Sequence, residues 1–290
     1  MRGAKWLTNA GLMWLALTSW AQAAEPICEQ AGFLSRTLIL PASVQSYGTM
    51  QYQKSVGVED KELVLTFDDG PDPVVTPQIL DTLDQFCVKA TFFMTGLRAE
   101  RYPELVQEVA RRGHTIASHS YSHPNNLRRL GWNSATRQIS RGINEIQEAL
   151  DAHDDTKSVR VAPFFRFPGL NHSTGLRGWL ANQNISTFSC DAGTDDWRRI
   201  SSNTLTYRAL RNIRSTRGGI VIFHDTKPRT AAALPSILQQ LQNEGYHVAH
   251  MIPARDAATT SAKLAAAPIT APDMTQTAPS TETALRSSHE

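Results

Sequence analysis

From about residue 60 to residue 252, short apolar runs alternate with longer amphipathic stretches, and few architectures tolerate that pattern. The spacing predicts strands at 62–67, 90–95, 114–118, 164–167, 186–190, 219–224 and 247–251. It predicts helices at 76–86, 103–112, 132–150, 173–182, 204–214 and 231–243. In the longest of these, Trp132, Ile139, Ile143, Ile146 and Leu150 recur at helical spacing. Gly113 and Gly245 stand where helices are expected to stop. Six or seven strand–helix alternations argue for a parallel α/β sheet, open or closed into a barrel. Such folds place their chemistry at the carboxyl ends of the strands.

The flanks differ in character. Arg2 and Lys5, an apolar run over 12–20 and the small-x-small triplet Ala21-Gln22-Ala23 predict a cleaved signal peptide over residues 1–23, hence export to the periplasm or beyond the cell. The run is shorter than the roughly 20 apolar residues that span a bilayer, so no stable membrane insertion is expected after cleavage. Residues 24–59 read as an irregular lead-in with one short strand at 37–40, and 60–255 as a single α/β domain. Residues 256–290, rich in Ala, Thr, Ser and Pro, read as a disordered tail. A net charge of +2 gives no reason to expect a nucleic-acid partner. Of three cysteines, Cys28 and Cys87 are a possible disulfide pair with Cys190 left free, although sequence does not set connectivity. A monomer is the expectation.

Five elements at predicted strand ends carry chemistry. Asp68 and Asp69 lie side by side before Gly70-Pro71. Two adjacent carboxylates repel, and a divalent cation on one relieves the repulsion and leaves the other free as a base. His119 and His123 offer two imidazoles four residues apart. One Asp and two His make a three-ligand set for a catalytic metal with an open position. Taken alone, the Asp pair reads as a polar turn and the His pair as solvated or structural. Arg166 ends an aromatic strand; buried, it needs a partner, and a catalytic Asp would suit it. Gly169, after Pro168, presents a backbone N–H to a substrate oxyanion, or is simply part of a turn. Asp191, Asp195 and Asp196 with Trp197 form a polar loop, a hard-cation site or a sugar platform. His224 closes an apolar strand and is the best general-acid candidate, though such a histidine is often a satisfied core residue. His172 lies near the Arg166 motif and is a candidate for the cleft border.

Taken in this order, residues 60–252 resemble the polysaccharide deacetylases of the NodB-homology type, carbohydrate esterase family 4. Thr66-Phe67-Asp68-Asp69-Gly70 is similar to the first motif, His119-Ser120-Tyr121-Ser122-His123 to the second and Arg166-Phe167-Pro168-Gly169 to the third. Asp196-Trp197 resembles the end of the fourth and Ile222-Phe223-His224 the fifth. The resemblance implies a deformed (β/α) barrel of about seven parallel strands and metal-dependent removal of N-acetyl groups from amino-sugar glycans. These could be peptidoglycan, chitin-like chains or an exopolysaccharide. It implies Asp69, His119 and His123 as ligands of Zn2+, or of Co2+ or a similar ion. Asp68 would be the base, oriented by Arg166, and His224 the acid, positioned by Asp196. Gly169 and Trp197 would bind substrate. Two departures stand out. Asp191 lies five residues before Asp196, where the family has a shorter Asp-x-x-Asp-Trp, and Gly169 replaces a common aromatic. Acetyl-ester hydrolysis on a glycan such as xylan, and a silent glycan-binding protein, remain as alternatives.

Overall fold

A computed structural model describes residues 33–254 except 42 and 44. The signal peptide, Cys28 and the C-terminal tail lie outside the described residues. Ten strands form one sheet: β1 (Leu34–Leu40), β2 (Ser46–Tyr47), β3 (Glu62–Asp68), β4 (Thr91–Met94), β5 (Thr115–Ser118), β6 (Phe164–Arg166), β7 (Ser186–Phe188), β8 (Ala192–Gly193), β9 (Gly219–His224) and β10 (His247–Pro253). The helices around it are α1 (Val75–Gln85), α2 (Gly96–Arg101), α3 (Pro103–Arg111), α4 (Trp132–Asp151), α5 (Thr174–Asn182), α6 (Ser202–Thr216) and α7 (Pro228–Asn243).

Every strand pairing is parallel. The main path runs β1-β10-β3-β4-β5-β6-β7-β2, and β9 joins β3 on one side and β8 on the other. β7 and β8 are two pieces of one segment. The first pairs β6 and the second, a few residues on, pairs β9. Among the described residues no ladder joins β7 to β8, so the sheet is not closed; the chain itself links the two, which makes a distorted, open form of the barrel that the resemblance implies. Lys61, before β3, and Arg217, after α6, take left-handed backbone conformations that turn the chain into the next strand.

β3 is buried along its whole length, as befits a central strand covered on both faces. Side chains alternate between two cores. Leu63, Leu65 and Phe67 pack outward under the helices with Phe92, Val221 and Phe223, whereas Val64 points inward with Phe93, Phe164 and Ile220. Phe67 stacks on Phe92 and Phe223, with centroids 5.1 and 5.6 Å away. By the same alternation, Thr66 and Asp68 face inward with Val64, and His224 faces inward with Ile220 and Ile222. In register, Asp68 pairs His224 and Phe93, Ser118 pairs Phe165, and Arg166 pairs Phe188. The chemical residues are thus level with one another at one rim.

Three expectations need correction. The lead-in is not irregular throughout: β1 pairs β10 over most of its length and β2 pairs β7, because each supplies the unpaired edge with a ladder. The strand expected over 186–190 is shorter, since Ser189 and Cys190 sit where the wall crosses to β9. The helix α2 was not foreseen; it is only six residues long and carries little periodic signal. Cys87 is disulfide-bonded and Cys190 is free and buried.

Candidate active site

Among the described residues Arg166 is the largest fully buried side chain, and its charge determines what can surround it. Its Nη1 donates to Asp68 Oδ1 at 2.7 Å and to Thr66 Oγ1 at 2.8 Å, and its Nη2 donates to the Ser189 carbonyl at 2.9 Å. The guanidinium carbon lies 4.2 Å from the centre of the Phe93 ring. A buried charge without a partner costs several kcal/mol, so this set holds Asp68 firmly, although Arg166 Nε itself has no hydrogen-bond partner. The second oxygen of Asp68 is left facing the cleft, 3.7 Å from His119 Nε2.

Asp69 follows at once in a left-handed conformation, with φ of 79°. The turn sends its carboxylate beside that of Asp68 toward the two imidazoles. His119 Nδ1 meets the Arg166 carbonyl at 2.7 Å. A carbonyl only accepts, so that nitrogen carries the proton and Nε2 keeps its lone pair. Burial lowers the pKa of His119, in spite of Asp68 and Asp69, and favours this neutral form. His119 Nε2 and His123 Nε2 lie 3.7 and 3.3 Å from Asp69 Oδ1, yet that buried oxygen has no hydrogen-bond partner. Burial works to raise the pKa of Asp69, but His119, His224, His123 and Lys227 together hold it below the usual carboxylate range. The three ligand atoms lie within 4.8 Å of one another. Lone pairs converging on a buried, unpartnered oxygen are what a small divalent cation fits.

The second histidine is held by its loop. Ser120 and His123 have φ of 72° and 55°, and the strap is stitched to α4 and α2. Tyr121 N–H donates to the Gln138 carbonyl, Ser122 N–H to Gln138 Oε1, and Gly96 N–H to the Ser120 carbonyl. Gly142 on α4 is necessary here, because a Cβ would come within 2.4 Å of the Ser120 backbone.

Across the cleft, His224 Nδ1 and Asp196 Oδ1 are 2.6 Å apart. The other Asp196 oxygen accepts from the His224 backbone N–H at 2.7 Å and from the Thr230 hydroxyl at 2.6 Å. Burial disfavours the charged imidazole, but the hydrogen bond and charge of Asp196, with Asp68 and Asp69, outweigh it and push His224 up to about 9. His224 is therefore a cation at neutral pH, with Nε2 carrying a proton that it can give away.

These groups line one cleft of about 580 Å3, with Gly169 and Trp197 on its walls and Met50, Asn125, Cys190 and Lys227 beside them. Trp197 is 57% exposed, as suits a stacking platform more than a core residue. Gly169 has φ of 59°, and a Cβ there would stand 3.5 Å from Asn125 Oδ1, at ordinary contact distance. Burial pushes the Cys190 thiol up to about 12, which removes it as a nucleophile.

The structure brings together Asp68, Asp69, His119, His123, Arg166, Gly169, Asp196, Trp197 and His224. It does not assemble the acidic loop into a cation site. Asp191 accepts from the Thr49 backbone and hydroxyl and from the Ile220 N–H, and so binds the lead-in to the barrel wall. Asp195 pairs with Arg198 and Arg208. The unusual spacing before Asp196 thus marks a structural aspartate. His172 turns toward Tyr52 and Phe167 and does not line the cleft.

Sequence reading missed four supporting groups: Thr66, Thr230, Lys227 and Asp225. Thr66 lay inside the first motif, and the others follow His224 within six residues. Asp225 is buried against Gly70 and accepts from Thr76 Oγ1 at 2.7 Å. Burial, with the charges of Asp69 and Asp68, pushes its carboxyl up to about 7 against that hydrogen bond.

Comparison with known proteins agrees with this geometry. The sequence model of the polysaccharide deacetylases matches residues 55–187. A peptidoglycan-N-acetylglucosamine deacetylase of Bacillus cereus is 36% identical over 188 residues, covering 63% of this chain and 64% of its own length. A chitooligosaccharide deacetylase of Sinorhizobium fredii is 30% identical, covering 66% of this chain and 90% of its own. Among solved structures, a Bdellovibrio bacteriovorus peptidoglycan deacetylase superposes with a TM-score of 0.69 at 33% identity, covering 80% of this chain and 62% of that one. This chain belongs to the polysaccharide deacetylase family, of the NodB-homology or carbohydrate esterase family 4 type. It spans just under two thirds of the length of the Bacillus cereus and Bdellovibrio relatives.

Two outcomes are expected from these interactions. Arg166→Leu leaves Asp68 buried without its counter-charge and should cost about 3–5 kcal/mol in denaturant unfolding, most of it recovered in the Asp68→Asn/Arg166→Leu double variant. Additive losses would show that the pair is not coupled. For His224, the folded pKa stands above the ordinary 6.5, at about 9. Its contribution to stability is therefore complete below about pH 6.5 and lost as pH rises through 9. An imidazole NMR titration should place His224 near 9 and move it down in Asp196→Asn; a midpoint near 6.5 in both would remove Asp196 from this role.

Proposed function

We propose that this chain is an exported, metal-dependent deacetylase that hydrolyses N-acetyl groups on amino-sugar glycans, with peptidoglycan N-acetylglucosamine units as the foremost substrate. The observation that carries the reading is the placement of three different chemical groups around one cleft. These are a carboxylate fixed by a buried arginine, an Asp-His-His ligand set and a protonated histidine. Amide hydrolysis needs all three, because water is a weak nucleophile, the carbonyl oxygen gains charge, and the amine leaves only when protonated.

Asp69, His119 and His123 would hold the divalent ion, with Zn2+ as the expected occupant. When bound, the ion supplies Lewis acidity to the acetyl carbonyl and to the attacking water. Asp68, with one oxygen committed to Arg166, uses the other to take the proton of that water. The Gly169 backbone N–H faces the acetyl oxygen as charge gathers there. A new C–O bond forms at the acetyl carbon and the C–N bond breaks. His224 gives its proton to the departing nitrogen, and Asp196 compensates the imidazolium until that moment. Trp197 offers a face for the sugar ring. The products are acetate and a free amino sugar.

Export rests on the basic, apolar and small-residue order of residues 1–23, and among the described residues no helix is long and apolar enough to cross a membrane. The relatives' names support peptidoglycan first and chitin-type oligomers second.

The test is acetate release from peptidoglycan fragments and N-acetylglucosamine oligomers by protein stripped with chelator and then supplied with Zn2+ or Co2+. Loss on stripping and return with metal is expected, with no return in Asp69→Ala. Metal-independent release would reject the ligand assignment. Tight metal binding without release from any amide substrate would redirect the reading to acetylated xylan, and failure there to a glycan-binding protein.

A further inference from the structure

Residues 48–54 belong to the lead-in, ahead of every segment that carries the chemistry, yet they supply a wall of the cleft. Among the described residues β7 and β8 share no ladder, and β2 lies on the edge of β7 that this leaves open. The Ser189 N–H donates to the Tyr47 carbonyl at 2.7 Å and the Met50 N–H to the Cys190 carbonyl at 3.0 Å, so the lead-in follows the chain across the gap. Gly48 has φ of 105° and passes so close that a Cβ would come within 2.7 Å of the Ser189–Cys190 backbone. Asp191 Oδ1 accepts from the Thr49 N–H at 2.7 Å and from its hydroxyl at 2.6 Å, while Oδ2 accepts from the Ile220 N–H at 2.7 Å. On the other side, Gln51 Nε2 donates to the Leu170 carbonyl at 2.6 Å.

This double anchoring delivers Met50 to the cleft. Its Sδ lies 3.7 Å from Cys190 Sγ, and its methyl carbon 3.6 Å from where a Cβ on Gly193 would stand. The side chain is nonetheless 53% exposed. The metal-ligand candidates sit at the ends of β3 and β5, with β4 between them. The gap lies beyond β6 and β7 in one direction and beyond β9 and β8 in the other. Met50 therefore stands between the Gly169–Leu170 turn after β6 and the Trp197 loop after β8, away from Asp69, His119 and His123. An apolar side chain left uncovered at the tip of so firmly pinned a loop is stabilised by an occupant that covers it, because removing its surface from water is favourable. An unbranched, polarizable thioether adapts to the uneven C–H face of a sugar ring. Gly169, beside it, has no side chain to offer.

We propose that Met50 is a specificity-determining residue that packs on a pyranose ring of the bound glycan, away from the reacting acetyl group, and that Asp191 and Thr49 are its positioning residues. The inference rests on the deacetylase reading and adds to it a glycan contact from outside the five motifs. The aspartate five residues before Asp196 then serves the substrate indirectly, through the loop it holds.

The test uses the full, metal-loaded chain labelled with 13C-methyl methionine, as a His224→Gln variant so that the glycan survives the titration. The Met50 signal is assigned by its loss in Met50→Leu. The probes are tetra-N-acetylchitotetraose, a peptide-free peptidoglycan tetrasaccharide, and acetate as the probe without a sugar. The Met50 methyl resonance is expected to shift to saturation with either glycan and to stay in place with acetate. Kinetics of the unlabelled chain with His224 intact run in parallel. Met50→Ala is expected to raise KM for the tetrasaccharide about fivefold with kcat within about twofold, and Met50→Leu to keep most of the affinity. Thr49→Val, which removes one hydrogen bond to Asp191, should raise KM in the same direction, and Thr49→Ser should not. Met50→Ala added to Thr49→Val should raise it little further.

Glycan binding that leaves the methyl signal unmoved, or no binding of either glycan, would overturn the proposal. So would an equal shift with acetate, which would put Met50 at the acetyl end. Full additivity of Thr49→Val and Met50→Ala would remove the positioning role. A Met50 shift with either glycan, without acetate release from either by the chain with His224 intact, would sink the deacetylase reading and leave the glycan contact standing.

Discussion

The site depends on one buried positive charge. Arg166 emerges from the end of β6 into the interior of the barrel, out of reach of water, and its guanidinium must be answered from within. Asp68, Thr66 and the Ser189 carbonyl answer it, and they come from β3 and from the point where the wall crosses from β7 to β8. The ion pair therefore ties β6 to β3 at the level of the candidate site. A carboxylate held in this way has one oxygen occupied and one oxygen free, so its direction is set before any ligand arrives. The carbonyl of the same arginine also fixes the tautomer of His119 and so aims its lone pair.

The two adjacent aspartates show how a fold separates identical groups. Asp68 belongs to the strand and turns inward with Val64 and Thr66. Asp69 is thrown into a left-handed conformation and meets two histidines instead of an arginine. Their environments, rather than their chemistry, set them apart, and the proposed function assigns them different work as base and ligand on that ground. The same division recurs at the other end of the cleft. Asp196 charges His224, whereas its neighbour Asp195 is spent on surface arginines and Asp191 on backbone.

Much of this was legible in the sequence because strand ends write their chemistry locally. The runs ending at Asp68, Arg166 and His224 are apolar and short, so the first polar residue after each is conspicuous. Histidines four apart were equally plain. What escaped was non-local. No local pattern says that β1 pairs β10, or that Asp191 reaches back to Thr49. The break between β7 and β8 also has no sequence mark, since Ser189-Cys190 reads as strand until the crossing is seen. Thr66, Thr230 and Lys227 escaped because hydroxyls and lysines are common, and only packing shows which of them face a buried charge.

The central claim is that the ion sits on Asp69, His119 and His123 while Asp68 stays free as the arginine-held base. Anomalous X-ray scattering from crystals of the Zn2+-loaded protein tests it most directly. The account requires one peak in contact with Asp69 Oδ1, His119 Nε2 and His123 Nε2, with Asp68 still bonded to Arg166. A peak bridging Asp68 and Asp69, or one in the Asp191–Asp195 loop, would contradict it.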